Sequence, residues 1–170
     1  PTVTDVVQVT AEASPAVVRL RRGVRAFFQG NRFLLEPLVR HVLARVPPGP
    51  VIDLYAGVGL FGLACAAAGT ERVTLVDGDP ISGADLKRNA EPYADRTRTK
   101  RQSVEQYLAA APRGRAQAST VILDPPRTGL SKEALAGLLP LAAAHLVYVS
   151  CDVATLARDT RALLDAGYQL

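Results

Sequence analysis

The chain has 170 residues, 48% of them hydrophobic, 21% charged and 5% aromatic, with a formal net charge of +4 from 20 Lys+Arg against 16 Asp+Glu. That length and composition fit one globular domain with its own core and exclude a disordered or collagen-like chain. No apolar run is long enough for a membrane span, and no signal peptide opens the sequence, so a cytoplasmic protein without membrane contact is expected.

Two cysteines, Cys65 and Cys151, exclude a disulfide framework and an all-cysteine metal site, and no metal is expected. The chain contains no Met and runs from Pro1 to Leu170, which suggests a piece of a longer protein. The excess of Arg suits phosphate and nucleic-acid contact, or it is a surface of solvated charge.

Residues 1–27 alternate apolar and polar positions (Val3, Val6, Val7, Val9, then Val17, Val18, Leu20), which predicts short strands in an N-terminal arm or linker over 1–30. A helix is predicted from Asn31, with Phe33, Leu34, Leu38, Val42, Leu43 and Val46 on one face and Pro47-Pro48-Gly49-Pro50 as its stop. Strands are then predicted at 51–55, 72–77, 97–102, 120–123 and 146–150. Helices are predicted at 60–68, 80–89, from 103 through 108, at 131–142 and at 153–166. Apolar strands alternating with helices predict an α/β domain over 31–170, its mainly parallel sheet covered on both faces. Ligands of such sheets bind outside the carboxyl ends of the strands, which directs attention to 53–62, 77–79, 103, 124–129 and 150–153.

The segment Asp53-Leu54-Tyr55-Ala56-Gly57-Val58-Gly59-Leu60-Phe61-Gly62 contains G-x-G-x-x-G, a pattern shared by NAD and S-adenosylmethionine (SAM) sites. Asp53 just before the glycines would repel a pyrophosphate and suit an ammonium group, so SAM is favoured. Gly57 and Gly59 allow close backbone approach. Asp77 stands 24 residues after Asp53, where a carboxylate can accept ribose hydroxyls of either ligand. Asp124-Pro125-Pro126-Arg127 predicts a stiff extended loop able to hold a target base, with Arg127 reaching a phosphate or a pocket carboxylate. Cys65 reads as a small buried hydrophobe. Cys151 falls at a strand end and a helix N-terminus, where a thiolate is favoured. His41 and His145 are expected in helical or helix-end segments away from the strand edges and are given no role.

Four segments together resemble the RNA uracil-C5 methyltransferase family: Phe27-Phe28-Gln29-Gly30-Asn31; Asp53 to Gly59; Asp124 to Gly129; and Tyr148-Val149-Ser150-Cys151-Asp152 through Arg158-Asp159. The resemblance covers roughly residues 25–170 and implies a class I SAM-dependent methyltransferase fold, Rossmann-like. It implies SAM as cofactor and methyl transfer to C5 of a uridine in rRNA or tRNA, by a monomeric protein. Gln29, Tyr55, Asp77 and Asp124 match the family's cofactor positions. Leu60 would offer only its backbone, and Ser103 stands near where members carry Asp or Asn by the adenine. Cys151 matches the nucleophile. Uracil C5 needs that thiolate, because addition to C6 creates the enolate that attacks a sulfonium methyl.

The chain also departs from the family. Asp152 and Val153 replace the usual Asn-Pro, placing a carboxylate beside Cys151. The general-base Glu sits on a hairpin that would lie beyond Leu170. The alternative expectation is therefore a SAM-binding domain without turnover. Two basic groups, Arg19, Arg21, Arg22, Arg25 and Arg32, and Arg96, Arg98, Lys100 and Arg101, are candidates for RNA phosphates.

Overall fold

The computed structural model describes residues 1–10, 16–112 and 119–170. An antiparallel hairpin, β1 (Thr2–Gln8) and β2 (Val17–Gly23), precedes helix α1 (Leu35–Leu43). The rest alternates: β3 (Val51–Leu54), α2 (Leu60–Ala67), β4 (Val73–Asp77), α3 (Pro80–Ala90), β5 (Thr97–Arg101), α4 (Val104–Ala110), β6 (Thr120–Leu123), α5 (Lys132–Leu138), β7 (His145–Tyr148) and α6 (Val153–Asp165). Five strands form one parallel sheet in the order β5-β4-β3-β6-β7. The chain builds outward from β3 through β4 to β5, then returns to the other side of β3. The carboxyl ends of β3 and β6 therefore flank the switch point where such sheets bind ligands.

Strand residues alternate between two cores. Val51, Val73, Leu75, Ile122 and Val147 face the helices α1 to α3 and the hairpin's Val7, Val18 and Leu20. Ile52, Leu54, Val76, Val121 and Leu123 face Val104 and Leu108 of α4, Ala134 and Leu138 of α5 and Leu163 of α6. Burial on both faces explains why these strands read as continuous apolar runs. The helix starts were legible for a local reason. Asp79 accepts from Ile81 N at 3.0 Å with Pro80 at the first helical position, Ser131 accepts from Ala134 N at 3.0 Å, and Asp152 accepts from Thr155 N at 2.8 Å. Gly167, at φ +98°, ends α6 in the left-handed conformation that a glycine adopts at little cost.

The hairpin is fastened to the sheet body by buried polar groups. Asn89 of α3 accepts from Arg21 N at 2.9 Å and donates to Arg21 O at 2.9 Å and to Val58 O at 3.0 Å. Asp85 accepts from Gly23 N at 2.7 Å. One side chain thus ties the hairpin to the glycine-rich turn.

Three sequence expectations change. Phe33 and Leu34 do not lie on the buried face of α1, since Asn31 Oδ1 accepts from both their amides, at 3.1 and 3.2 Å, and delays the helix until Leu35. Phe33 is 94% exposed as a result. The helix predicted over 131–142 stops at Leu138 and continues only as a 3-10 turn, Leu139–Leu141, with Pro140 inside it. His145 opens β7 rather than ending a helix. No helix among the described residues is long and apolar enough to cross a membrane.

Candidate active site

The carboxyl edge of β3, β4 and β6 gathers three aspartates. Asp53 is 1% exposed and points beneath the glycine-rich turn, where its Oδ2 accepts from Gly62 N at 2.7 Å. Its Oδ1 finds no partner among the described residues. Burial, and then the charges of Asp124 and Asp77, push the Asp53 carboxyl up to about 8. Asp53 therefore holds the start of α2 from below, and its second oxygen is buried without a partner among the described residues.

Asp77 ends β4 and accepts from Gly57 N at 2.7 Å, Asp79 N at 2.8 Å and Ser82 Oγ at 3.1 Å. A carboxylate offers about four acceptor positions, so three are in use and about one is left. Acceptance of two ribose hydroxyls, as the sequence suggested, would require one of these internal bonds to yield.

Asp124 leaves β6 half-buried and accepts from Gln29 Nε2 at 3.1 Å, across 95 residues of sequence. Burial pushes its carboxyl up to about 6, partly offset by the Gln29 hydrogen bond.

The turn between these acids is strained in the way ligand loops often are. Tyr55 has φ +63°, unusual for a residue with a side chain, and Gly57 and Gly59 have φ +56° and +102°. A Cβ at Gly57 would meet nothing within 4 Å, so the space above that backbone is open. Tyr55 is half-buried, and burial pushes its hydroxyl up to about 12, keeping it a neutral hydrogen-bonding group. Leu60 begins α2 with its side chain in the core, so only its backbone reaches the edge. Ser103 caps α4 in a reciprocal box with Gln106, both bonds at 3.2 Å. That engages its amide and one lone pair of its hydroxyl, and the hydroxyl also hydrogen-bonds the Glu105 carboxylate.

Cys151 and Cys65 separate cleanly. Cys65 is buried in α2, and burial pushes its thiol up to about 12. Cys151 is exposed, between β7 and the α6 cap Asp152. Because Leu123 and Tyr148 are register partners, the cysteine turn leaves the sheet beside the strand that ends at Asp124, with neighbouring strands about 4.8 Å apart. Asp152 is held below the usual carboxylate range by the Thr155 amide and hydroxyl, with Arg127 contributing. Its charge is thus engaged at the helix end.

Several expected phosphate contacts are occupied inside the protein. Arg22 bridges to Asp5 at 2.8 Å and lies 4.7 Å over the Phe28 ring. Arg96 pairs with Asp95 at 3.0 Å. Arg19, Arg21, Arg25 and Arg32 are exposed, as is Phe27, at 77%. The sequence missed the exposed Phe33, because helical spacing gives no sign that Asn31 starts a turn. A cavity of about 920 Å³ runs along β7 between α1 and α6, lined by His41, His145 and Tyr168.

These residues fit SAM. Gly57, with open space above it, suits close approach, and three acids with one unmatched buried oxygen suit a cationic ligand.

Comparison with known proteins agrees with the fold. The family described as "Conserved hypothetical protein 95" matches residues 37–162. An uncharacterized RNA methyltransferase of Listeria innocua is 39% identical over 150 residues, 86% of this chain and 32% of its own length. The 23S rRNA (uracil(1939)-C(5))-methyltransferase RlmD of Pseudomonas fluorescens is 38% identical over 148 residues, 85% of this chain and 32% of its own length. The chain thus spans about a third of the length of the curated relatives it matches.

Among solved structures, the tRNA (uracil-54, C5)-methyltransferase of Pyrococcus abyssi, crystallised with S-adenosyl-L-homocysteine, superposes with a TM-score of 0.74. It is 30% identical, over 85% of this chain and 35% of that one. TYW2 of P. horikoshii, in complex with MeSAdo, shares the fold at 20% identity and a TM-score of 0.55, over 74% of this chain and 46% of that one. The resemblance drawn from the four segments is borne out by these relatives. The chain belongs to the family described as Conserved hypothetical protein 95, and it has the class I, Rossmann-like methyltransferase fold.

Proposed function

We propose that this chain is the SAM-binding and nucleophile-bearing part of an RNA (uracil-C5)-methyltransferase. The observation that carries the reading is the exposed Cys151, which leaves the sheet beside Asp124 at the edge that also bears the glycine turn. Named RNA uracil-C5 methyltransferases among the relatives support it.

SAM, when bound, supplies a methyl group on a positively charged sulfur. Gln29, Asp53, Tyr55, Gly57, Gly59, Asp77 and Asp124 would hold it, with the backbone of Leu60 and the hydroxyl of Ser103 at its margins. The acids are arranged for a cation and against a pyrophosphate, which disfavours a nicotinamide cofactor. The Cys151 thiolate adds to uracil C6, and the ring electrons move to make C5 nucleophilic. C5 would then take the methyl group as its bond to the sulfonium breaks, leaving the neutral thioether S-adenosylhomocysteine. A base then removes the C5 proton, and the C6–S bond breaks to return the thiolate. The family resemblance implies a Glu as that base. Asp124 and the Pro125-Pro126 loop line the base-binding side, and Arg127 faces the cysteine turn.

Exposed Phe27 and Phe33 among Arg25 and Arg32 form a surface suited to unstacked bases and phosphates, as single-stranded RNA presents them. Extrusion of the target uridine follows from the need to reach both C5 and C6.

Mass spectrometry of the protein with SAM and a 5-fluorouridine-containing RNA tests the proposal. The fluorine cannot leave as a proton does, so a covalent adduct should accumulate with wild type and vanish with Cys151→Ala. An adduct that survives the substitution rejects the assignment. A SAM-binding protein that forms no adduct and turns over no RNA would instead match the binding-module reading.

A further inference from the structure

We propose that one face of α6, formed by Thr155, Arg158 and Asp159, is a clamp that fixes the loop after β6 against the cysteine turn, making these three positioning residues for methyl transfer. The proposal rests on the reading of Cys151 as nucleophile. Residues at i, i+3 and i+4 of a helix share a face.

All three side chains grip the same stretch of loop. Thr155 Oγ1 lies 3.1 Å from Arg127 O and shares its one hydrogen between that carbonyl and Asp152 Oδ1, also at 3.1 Å. Arg158 Nη2 donates to Thr128 O at 2.9 Å and to Leu130 O at 3.2 Å. Leu130 N donates to Asp159 Oδ2 at 2.7 Å. Three carbonyls and one amide of residues 127–130 are thus answered by a single helix face. Gly129, at φ +73°, lets the loop pass this close, since a Cβ there would lie 2.5 Å from Asp159 Oδ2 and 2.7 Å from Arg158 Nη2.

Asp159 is the centre of the device. It is 3% exposed, yet burial does not neutralise it. The Leu130 amide, the Tyr148 hydroxyl at 2.7 Å and Arg158 Nε at 2.8 Å hold its carboxyl below the usual range. One donor comes from the loop that follows Asp124, one from the last residue of β7 just before the cysteine turn, and one from α6. A buried charge of this kind costs desolvation, and apolar packing often serves stability as well or better. What the charged arrangement adds is direction: it fixes two loops in register, one carrying Asp124 and the Pro-Pro segment, the other Cys151. Thr155 also donates its amide to Asp152 at 2.8 Å, so the clamp reaches the residue beside the nucleophile.

The test compares wild type with Asp159→Asn, Tyr148→Phe and Thr155→Val, reading adduct formation on 5-fluorouridine-containing RNA, SAM affinity, RNA half-saturation and thermal midpoint. Misplacement of reacting groups by about 1 Å costs up to about 100-fold, so Asp159→Asn should slow adduct formation about 10- to 100-fold. SAM affinity and RNA half-saturation should stay within a few-fold. Tyr148→Phe and Thr155→Val each leave Asp159 its charge and should give smaller losses of the same kind. They carry the test if Asp159→Asn does not fold. Variants with a lowered thermal midpoint but a wild-type adduct rate in the folded fraction would overturn the clamp and leave a structural network. A wild type that forms no adduct overturns the nucleophile assignment and the clamp with it. Normal wild-type adduct with unaffected variants overturns the clamp alone.

Discussion

Replacing Asp53 by Asn should make the ligand-free protein more stable and the SAM complex weaker. An unfolded chain releases the Asp proton near pH 3.9, whereas in the folded protein burial holds it to about 8. The folded state therefore binds the extra proton between those values. The stability this group contributes is full below about pH 4, falls as pH rises, and is gone above about pH 8. At pH 7 the difference is about three pH units at 1.36 kcal/mol each, an upper bound of about 4 kcal/mol.

Asn keeps the shape and can still accept from Gly62 N, but it never ionises. We expect Asp53→Asn to stabilise the free protein by about 2–4 kcal/mol at pH 7, or several degrees in thermal midpoint, with the gap closing toward pH 4. Urea unfolding of both proteins from pH 4 to 8.5 measures it, and the wild-type-minus-variant difference cancels the other carboxylates. Calorimetric titration at pH 8.5, where the Asp53 carboxyl is ionised, should show weaker SAM binding by the variant. A gap that does not change with pH, or a variant less stable than wild type at pH 7, refutes the reasoning.

Asp124 gives a second pH signature: its carboxyl sits near pH 6, and only the charged form attracts a cation, so SAM affinity should rise across pH 5 to 7. Asp124→Asn should flatten that rise in calorimetric titrations. Gly62→Ala places a Cβ into Leu75 and 2.8 Å from Asp53 Oδ2. It should cost about 2–3 kcal/mol in urea unfolding, as overpacking does. On the RNA surface, Arg25→Ala or Arg32→Ala should each reduce the salt slope of binding by about one, measured by fluorescence anisotropy against ionic strength. Phe33→Ala, at a fully exposed ring, should weaken RNA binding with the slope unchanged and leave stability within about 0.5 kcal/mol.

Local chemistry wrote much of this fold into the sequence. Apolar runs such as Val121-Ile122-Leu123, bounded by proline, glycine and capping aspartates, specify strand and helix without reference to distant residues, and strand–helix alternation then implies a parallel sheet. The strand ends, and so Asp53, Asp77, Asp124 and the cysteine turn, followed from that alternation.

Tertiary structure decided what each of these residues faces. Gln29 meets Asp124 across 95 positions, and Asp53 turns inward to Gly62. Asp77 spends most of its acceptors on the chain itself. Phe33 stays in solvent because a single asparagine starts a turn. The α6 face that grips residues 127–130 joins groups 28 to 30 positions apart. Periodicity reports which side of an element is apolar. It carries no information on which donor a carboxylate finds, because that choice is made only when distant backbones are brought within hydrogen-bond reach.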